Sequence, residues 1–234
     1  MIRFSSWVFG LMAFSASTAA FAQDAEPPAE PAPEAAPAPA PDATAGVTSS
    51  GSAFADKRIR LGLRLGYAFA MGSAQDGVKM SDGLSGQIPI WIDAGYMVTP
   101  NILLGLYGQY GFIQRKNCDE CSGHDVRFGI QGQYHLAPAA SLDPWLGVGV
   151  GYEILSASQT VEGVSISGST KGFEFLNLQG GADFNVADAL AVGPFVSFSL
   201  GQYSSFSSGD LSGDIDKKAM HEWLTIGVKG SFGL

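Results

Sequence analysis

Charge is scarce in this sequence, cysteine and histidine are almost missing, and no hydrophobic run is long. Only 15% of the 234 residues are charged, and mean hydropathy is nonetheless only +0.14. No stretch approaches the ~18 consecutive apolar residues that a membrane-spanning helix needs, so a conventional helical span is excluded. Acids outnumber bases and the formal net charge is −9, which argues against nucleic acid as a partner. With three histidines and two cysteines, there is little material for a catalytic or metal centre. What the chain has instead is glycine, 31 of them, and regular alternation.

The first residues carry a short apolar run, Trp7 to Ala20, behind the single positive charge of Arg3. Ala20-Phe21-Ala22 then places small residues where a signal peptidase reads, so residues 1–22 are expected to be a secretory signal peptide cleaved before Gln23. The run is too short for a membrane anchor, and no cysteine follows it to carry a lipid. Residues 23–56 then read as a disordered Pro/Ala-rich linker. Pro27, Pro28, Pro31, Pro33, Pro37, Pro39 and Pro41 remove backbone donors and favour extended geometry, while Asp24, Glu26, Glu30, Glu34 and Asp42 keep the segment solvated. Such a spacer either bridges a gap, here the periplasm with a contact to peptidoglycan, or is a tail without a partner.

From residue 57 to 234 the period becomes two. Ile59, Leu61, Leu63, Leu65, Tyr67 and Phe69 alternate with Arg60, Gly62, Arg64, Gly66 and Ala68, giving one apolar face and one polar or tiny face. The pattern recurs over 87–98, 102–115, 126–136 and 145–154, and again over 171–186, 190–203 and 219–233. The expected fold is therefore all-β, an eight-stranded antiparallel up-and-down barrel. A soluble barrel would put its apolar face inside. Here the second face is mostly Gly, Gln, Asn, Ser and lone charges, which suits a lumen and leaves the apolar face for lipid. Closure leaves no strand edge unpaired, as hydrocarbon requires.

Connections and aromatics agree with this. Short links after the second, fourth and sixth strands alternate with longer Gly/Ser/Asp-rich ones, expected as loops at 72–85, 116–124, 157–170 and 204–218. Tyr96, Tyr134, Phe184 and Phe232 fall near the ends of even-numbered strands. Tyr67, Phe69, Tyr110, Phe112, Tyr152 and Phe198 fall toward the ends of odd-numbered ones. Alternate strands run oppositely, so these rings form two girdles at the two membrane interfaces.

In strand count, alternation and girdles, the region resembles the small eight-stranded outer-membrane barrel superfamily. That superfamily includes the outer membrane protein A transmembrane domain and the outer membrane protein W group. The last strand is similar to its assembly signal, with Thr225, Gly227 and Phe232 in place and Gly230 where an aromatic is usual. The resemblance implies insertion by the outer-membrane assembly machinery and residence in the outer membrane of a diderm bacterium, both termini periplasmic. It also implies contact with membrane lipid and lipopolysaccharide, and no cofactor; a monomer is expected.

An eight-stranded lumen can be filled by side chains. Trp91, Tyr107, Phe175, Phe195 and Trp223 are expected inside, with Gly147, Gly149 and Gly151 leaving room opposite. The inward charges fall into two layers, Arg60, Arg64, Asp93, Asp183 and Lys229 in one and Arg115, Arg127 and Glu153 in the other. A buried unpaired charge costs several kcal/mol, so pairing is expected, with Arg64–Asp93 and Arg127–Glu153 the natural couples. Such layers are either a static plug or a selective pore.

The loops offer less. Cys118 and Cys121 are expected as a loop disulfide in an oxidising compartment, and with His124 and Asp125 a surface zinc site is the alternative. Asp210, Asp214 and Asp216 do not match a calcium loop. His221-Glu222 near Ser204–Ser208 is the one combination resembling a hydrolase cluster, and adjacent strand residues point to opposite faces. The expected role is structural or surface-interacting and non-catalytic. A narrow channel or transporter for small solutes, hydrophobic ones included, is the alternative, and a lipid-modifying enzyme a third.

Overall fold

A computed structural model describes residues 53–116, 121–161, 164–209 and 211–234. The expected signal peptide and most of the Pro/Ala segment lie outside the described residues. Eight long antiparallel strands make up the barrel: β1 Ile59–Gln75, β2 Leu84–Met97, β3 Ile102–Arg115, β4 Cys121–His135, β5 Leu142–Val161, β6 Val164–Ala187, β7 Leu190–Ser208 and β8 Met220–Gly233. Each pairs with its sequence neighbour, and β8 pairs with β1 from Gly72↔His221 to Arg60↔Gly233. That last ladder closes the sheet and removes both edges.

Alternation fixes which face is which. Ile92, Leu106, Ile130 and Leu146 all point outward and are 60–64% exposed, while Arg64, Gln87 and Asn177 on the other face are fully buried. A surface belt of this kind would be poorly soluble in water, and it is what a hydrocarbon layer covers. The ten aromatic residues assigned to girdles all lie on this outward face, and several touch. Tyr67 meets Phe69, Tyr110 meets Phe112, and Phe128, Tyr152 and Phe173 run side by side across three strands.

The end of the barrel that carries both termini has tight connections. Thr99 Oγ1 accepts from Ile102 N at 3.0 Å, and Asp143 Oδ1 accepts from Ala137 N at 3.0 Å. The distal end differs from the expectation of four loops. The expected loop at 157–170 is instead paired from Ala157↔Gly168 to Val161↔Val164, so β5 and β6 simply continue beyond the belt. In the last connection a short strand, Leu211–Asp214, folds back on Ser205–Ser208. Serine alternates at 165, 167 and 169, and a polar period of two makes a strand as well as an apolar one does.

A second correction concerns β6. A β-bulge between Glu174 and Leu176 inserts one residue, so the faces exchange there. Phe175, expected in the lumen, is 50% exposed on the outside, and Glu174 is buried inside instead.

Candidate functional site: two ionic layers across the lumen

Arg64 on β1 is the hub of the layer nearer the termini. Its Nε and Nη2 donate to Asp93 on β2 at 2.6 and 3.0 Å, Nη1 donates to Gln179 on β6 at 2.9 Å, and Nη2 reaches Gln131 on β4 at 3.2 Å. Gln131 in turn donates to Asp93 at 2.8 Å. The guanidinium lies 5.1–5.5 Å from the ring centroids of Trp91, Trp145 and Phe195. One residue thus ties four strands together through the middle of the barrel. Beside it Lys229 on β8 donates to Asp183 on β6 at 3.1 Å, above the Trp145 ring, whose indole N–H also donates to Asp183.

The distal layer is built around Arg127 on β4. Its nearest acid is Asp125, two residues away on the same face, at 2.8 Å; Glu153 and Glu174 follow at 3.5 and 3.7 Å. Gln87 and Gln109 donate to Asp125, and Tyr107 donates across the lumen to Glu174 at 3.1 Å. Glu153 accepts from Tyr203 at 2.6 Å and from the Trp223 indole at 3.2 Å, and sits 2.8 Å from His221 Nε2. Between the layers Trp91 stacks on Tyr107 and meets Phe195 edge-on.

Glycine makes this crossing possible. A Cβ added at Gly151 would overlap the Tyr107 hydroxyl, and one at Gly129 would come within 2.7 Å of it. Only the missing side chains on β4 and β5 let the Tyr107 ring lie across the barrel to reach β6.

Both ends of the lumen are covered. At the distal end Met80, from the helical turn Met80–Gly83, and Ile215, from the last connection, pack with Ala68, Tyr203 and Trp223. At the other end a single 3-10 turn, Ala53–Asp56, places Phe54 under the Arg60 guanidinium, 3.6 Å from ring centroid to carbon. His135 and Asp143 close the rest at 2.7 Å.

The residues expected in the lumen are therefore placed as follows. Arg64, Asp93, Asp183 and Lys229 form one bonded layer, and Arg127 and Glu153 belong to the other. Arg60 is buried at the terminal mouth, stacked on Phe54 and outside the ion pairs among the described residues. Arg115 is half-buried at the distal end of β3 and joins no ion pair among the described residues. Asp125, Glu174 and His221 are lumen members absent from the inward charges expected from the sequence. Of the residues named for a zinc site, Asp125 is inside while His124 is outside and stacked on Tyr110, so these two do not meet. His221 and Glu222 stand on opposite faces, as their adjacency on a strand implies, with His221 turned inward to Glu153. Cys121 opens β4, and Cys118, its expected disulfide partner, lies outside the described residues, as does Asp210.

No protein-family model and no curated protein matches the chain. Among solved structures it is similar to Neisserial surface protein A (13% identity, 73% of this chain and 95% of that one, TM-score 0.46). It is also similar to the outer membrane protein OprG from Pseudomonas aeruginosa (15% identity, 76% and 98%, TM-score 0.47). A further likeness is to the outer membrane protease OmpT from Escherichia coli (9% identity, 76% and 97%, TM-score 0.39). Strand count, closure and the apolar outer belt make this chain a small eight-stranded β-barrel of the outer-membrane kind.

Proposed function

We propose that this barrel is closed to solute and serves as a structural and surface-presenting protein of the outer membrane, without catalytic activity. One observation carries the reading. Side chains from opposite walls bond to each other in two successive layers, with fully buried Arg64, Asp125, Glu174 and Asn177 at their centres. A water-filled passage would hydrate these groups. The long distal connections face the outside and the short ones, with both termini, face the periplasm, as barrels with short inner turns do. The Pro/Ala segment is then a periplasmic tether, and retention of the full-length mature chain on peptidoglycan tests it.

Planar bilayer recording with the purified protein tests the closed lumen. The expected result is no steady large conductance. Frequent openings of porin size would overturn the plug and favour the channel alternative.

A further inference from the structure

Above the belt, the outward face of β4–β7 is hollowed into a trough of about 380 Å³, lined by His124 and six serines. Strand register sets these side chains in two rungs. His124, Ser156, Ser169 and Ser207 lie opposite one another on four successive strands, and Ser122, Ser158 and Ser167 form the next rung out. The hydroxyls of Ser122 and Ser158 are 2.7 Å apart, and those of Ser169 and Ser207 are 2.8 Å apart. Each such pair shares one hydrogen bond and keeps a donor and several lone pairs for a ligand.

The surroundings narrow the ligand class. Among the described residues, no carboxylate projects outward from these four strands beyond the girdle; exposed Lys171 does, while Asp214 lies two strands away in the same row, on the short strand beside β7. Beneath it, past one rung of Val126, Ile154 and Lys171, lie the contiguous rings of Phe128, Tyr152 and Phe173. Hydroxyls in a grid, an ammonium group and apolar ring faces are the complement of a sugar that carries negative charge.

Position identifies the source. Ser156, His124 and Ser169 each stand four residues beyond a girdle ring, and Ser158, Ser122 and Ser167 six. At roughly 3.4 Å per residue and a strand tilt of roughly 40°, the rungs rise about 10 and 15 Å above the rings. The trough is thus continuous with the lipid-covered belt and sits where the headgroup of an outer-leaflet lipid must pass. We infer that it binds the phosphorylated core sugars of lipopolysaccharide. The inference rests on the outward orientation of the distal end proposed above.

The test titrates the full-length mature barrel, folded in detergent micelles, with lipopolysaccharide bearing its inner core and with lipid A of the same acyl composition. Two or three additional hydrogen bonds predict about tenfold tighter binding of the core-bearing form. Filling the trough with Ser156→Phe and Ser169→Phe is expected to remove most of that preference, with folding followed by heat-modifiable gel mobility. Equal affinity for the two lipids, or an undiminished preference in a folded filled variant, overturns the site. If the filled variant does not fold, the wild-type ratio and the milder Ser169→Ala with Ser207→Ala, expected to lose about threefold, decide. Protease accessibility of the 157–170 hairpin on intact cells reads the orientation separately. A shielded hairpin would refute the outward placement and leave the measured sugar preference standing.

Discussion

Replacing Arg64 with methionine isolates the ionic contribution of the layer nearer the termini. Methionine keeps most of the volume packed against Trp91, Trp145 and Phe195 and removes four donated hydrogen bonds. Asp93 then stays in the lumen without its cation, held only by Gln131 at 2.8 Å. Breaking one side of a buried pair costs about 3–5 kcal/mol, and the surviving Gln131 bond places Arg64→Met toward the lower half of that range. Removing both partners, as Arg64→Met with Asp93→Leu, leaves no stranded charge and is expected within about 1 kcal/mol of the parent. The assay is urea unfolding from phospholipid vesicles, followed by tryptophan fluorescence. With a slope of roughly 1–3 kcal/mol per molar urea, the single variant loses on the order of 1–3 M in midpoint. A single variant within 1 kcal/mol of the parent would refute the reasoning, and so would a double variant as unstable as the single.

Three more outcomes follow from the same geometry. Gly151→Val drives a side chain into the Tyr107 hydroxyl and breaks its bond to Glu174, with an expected loss of about 1–3 kcal/mol in the same titration. The companion Tyr107→Phe with Gly151→Ala should lose less than Gly151→Val. A nitroxide on Phe175→Cys, in a background of Cys118→Ser and Cys121→Ser, is expected to be broadened by lipid-soluble oxygen, and protection from it would return residue 175 to the lumen. Met80→Asp buries a carboxylate in the apolar cap at the distal end, with an expected loss of about 2–4 kcal/mol. An unchanged midpoint would mean that this cap does not cover the lumen.

Strand number, closure and the lipid-facing side were legible because each is written as a period of two over many residues. Ile59 to Phe69 or Val126 to Leu136 admits one register, and a slip of one would turn the whole apolar set inward. What alternation cannot register is its own interruption. The bulge at Phe175 carries no glycine or proline to mark it, and parity counted back from Leu176 and Leu178 puts Phe175 inside and Glu174 outside. Asp125 was misplaced for a different reason. It stands beside His124 in a polar stretch that resembles a loop, and only the pairing Asp125↔Leu155 brings it into the sheet. The bonded pair Arg64–Asp93 joins neighbouring strands, so adjacency was enough to suggest it. Arg64–Gln179 and Tyr107–Glu174 span the barrel, and no local pattern announces a contact across a lumen.

The cross-wall bonds have a consequence for how this barrel reaches its membrane. Arg64 bonds to Asp93 on neighbouring β2 but also to β4 and β6, and Tyr107 on β3 finds its acceptor on β6, so neither is fully satisfied while the sheet is an open curl. A half-assembled intermediate would present incompletely bonded charged groups to hydrocarbon, which is costlier than presenting them to water. Completion of the layer around Arg64 is thereby tied to sealing of the β1–β8 seam. Once sealed, the same bonds act as spokes. They hold the wall at a fixed radius and resist the lateral pressure of the surrounding lipid.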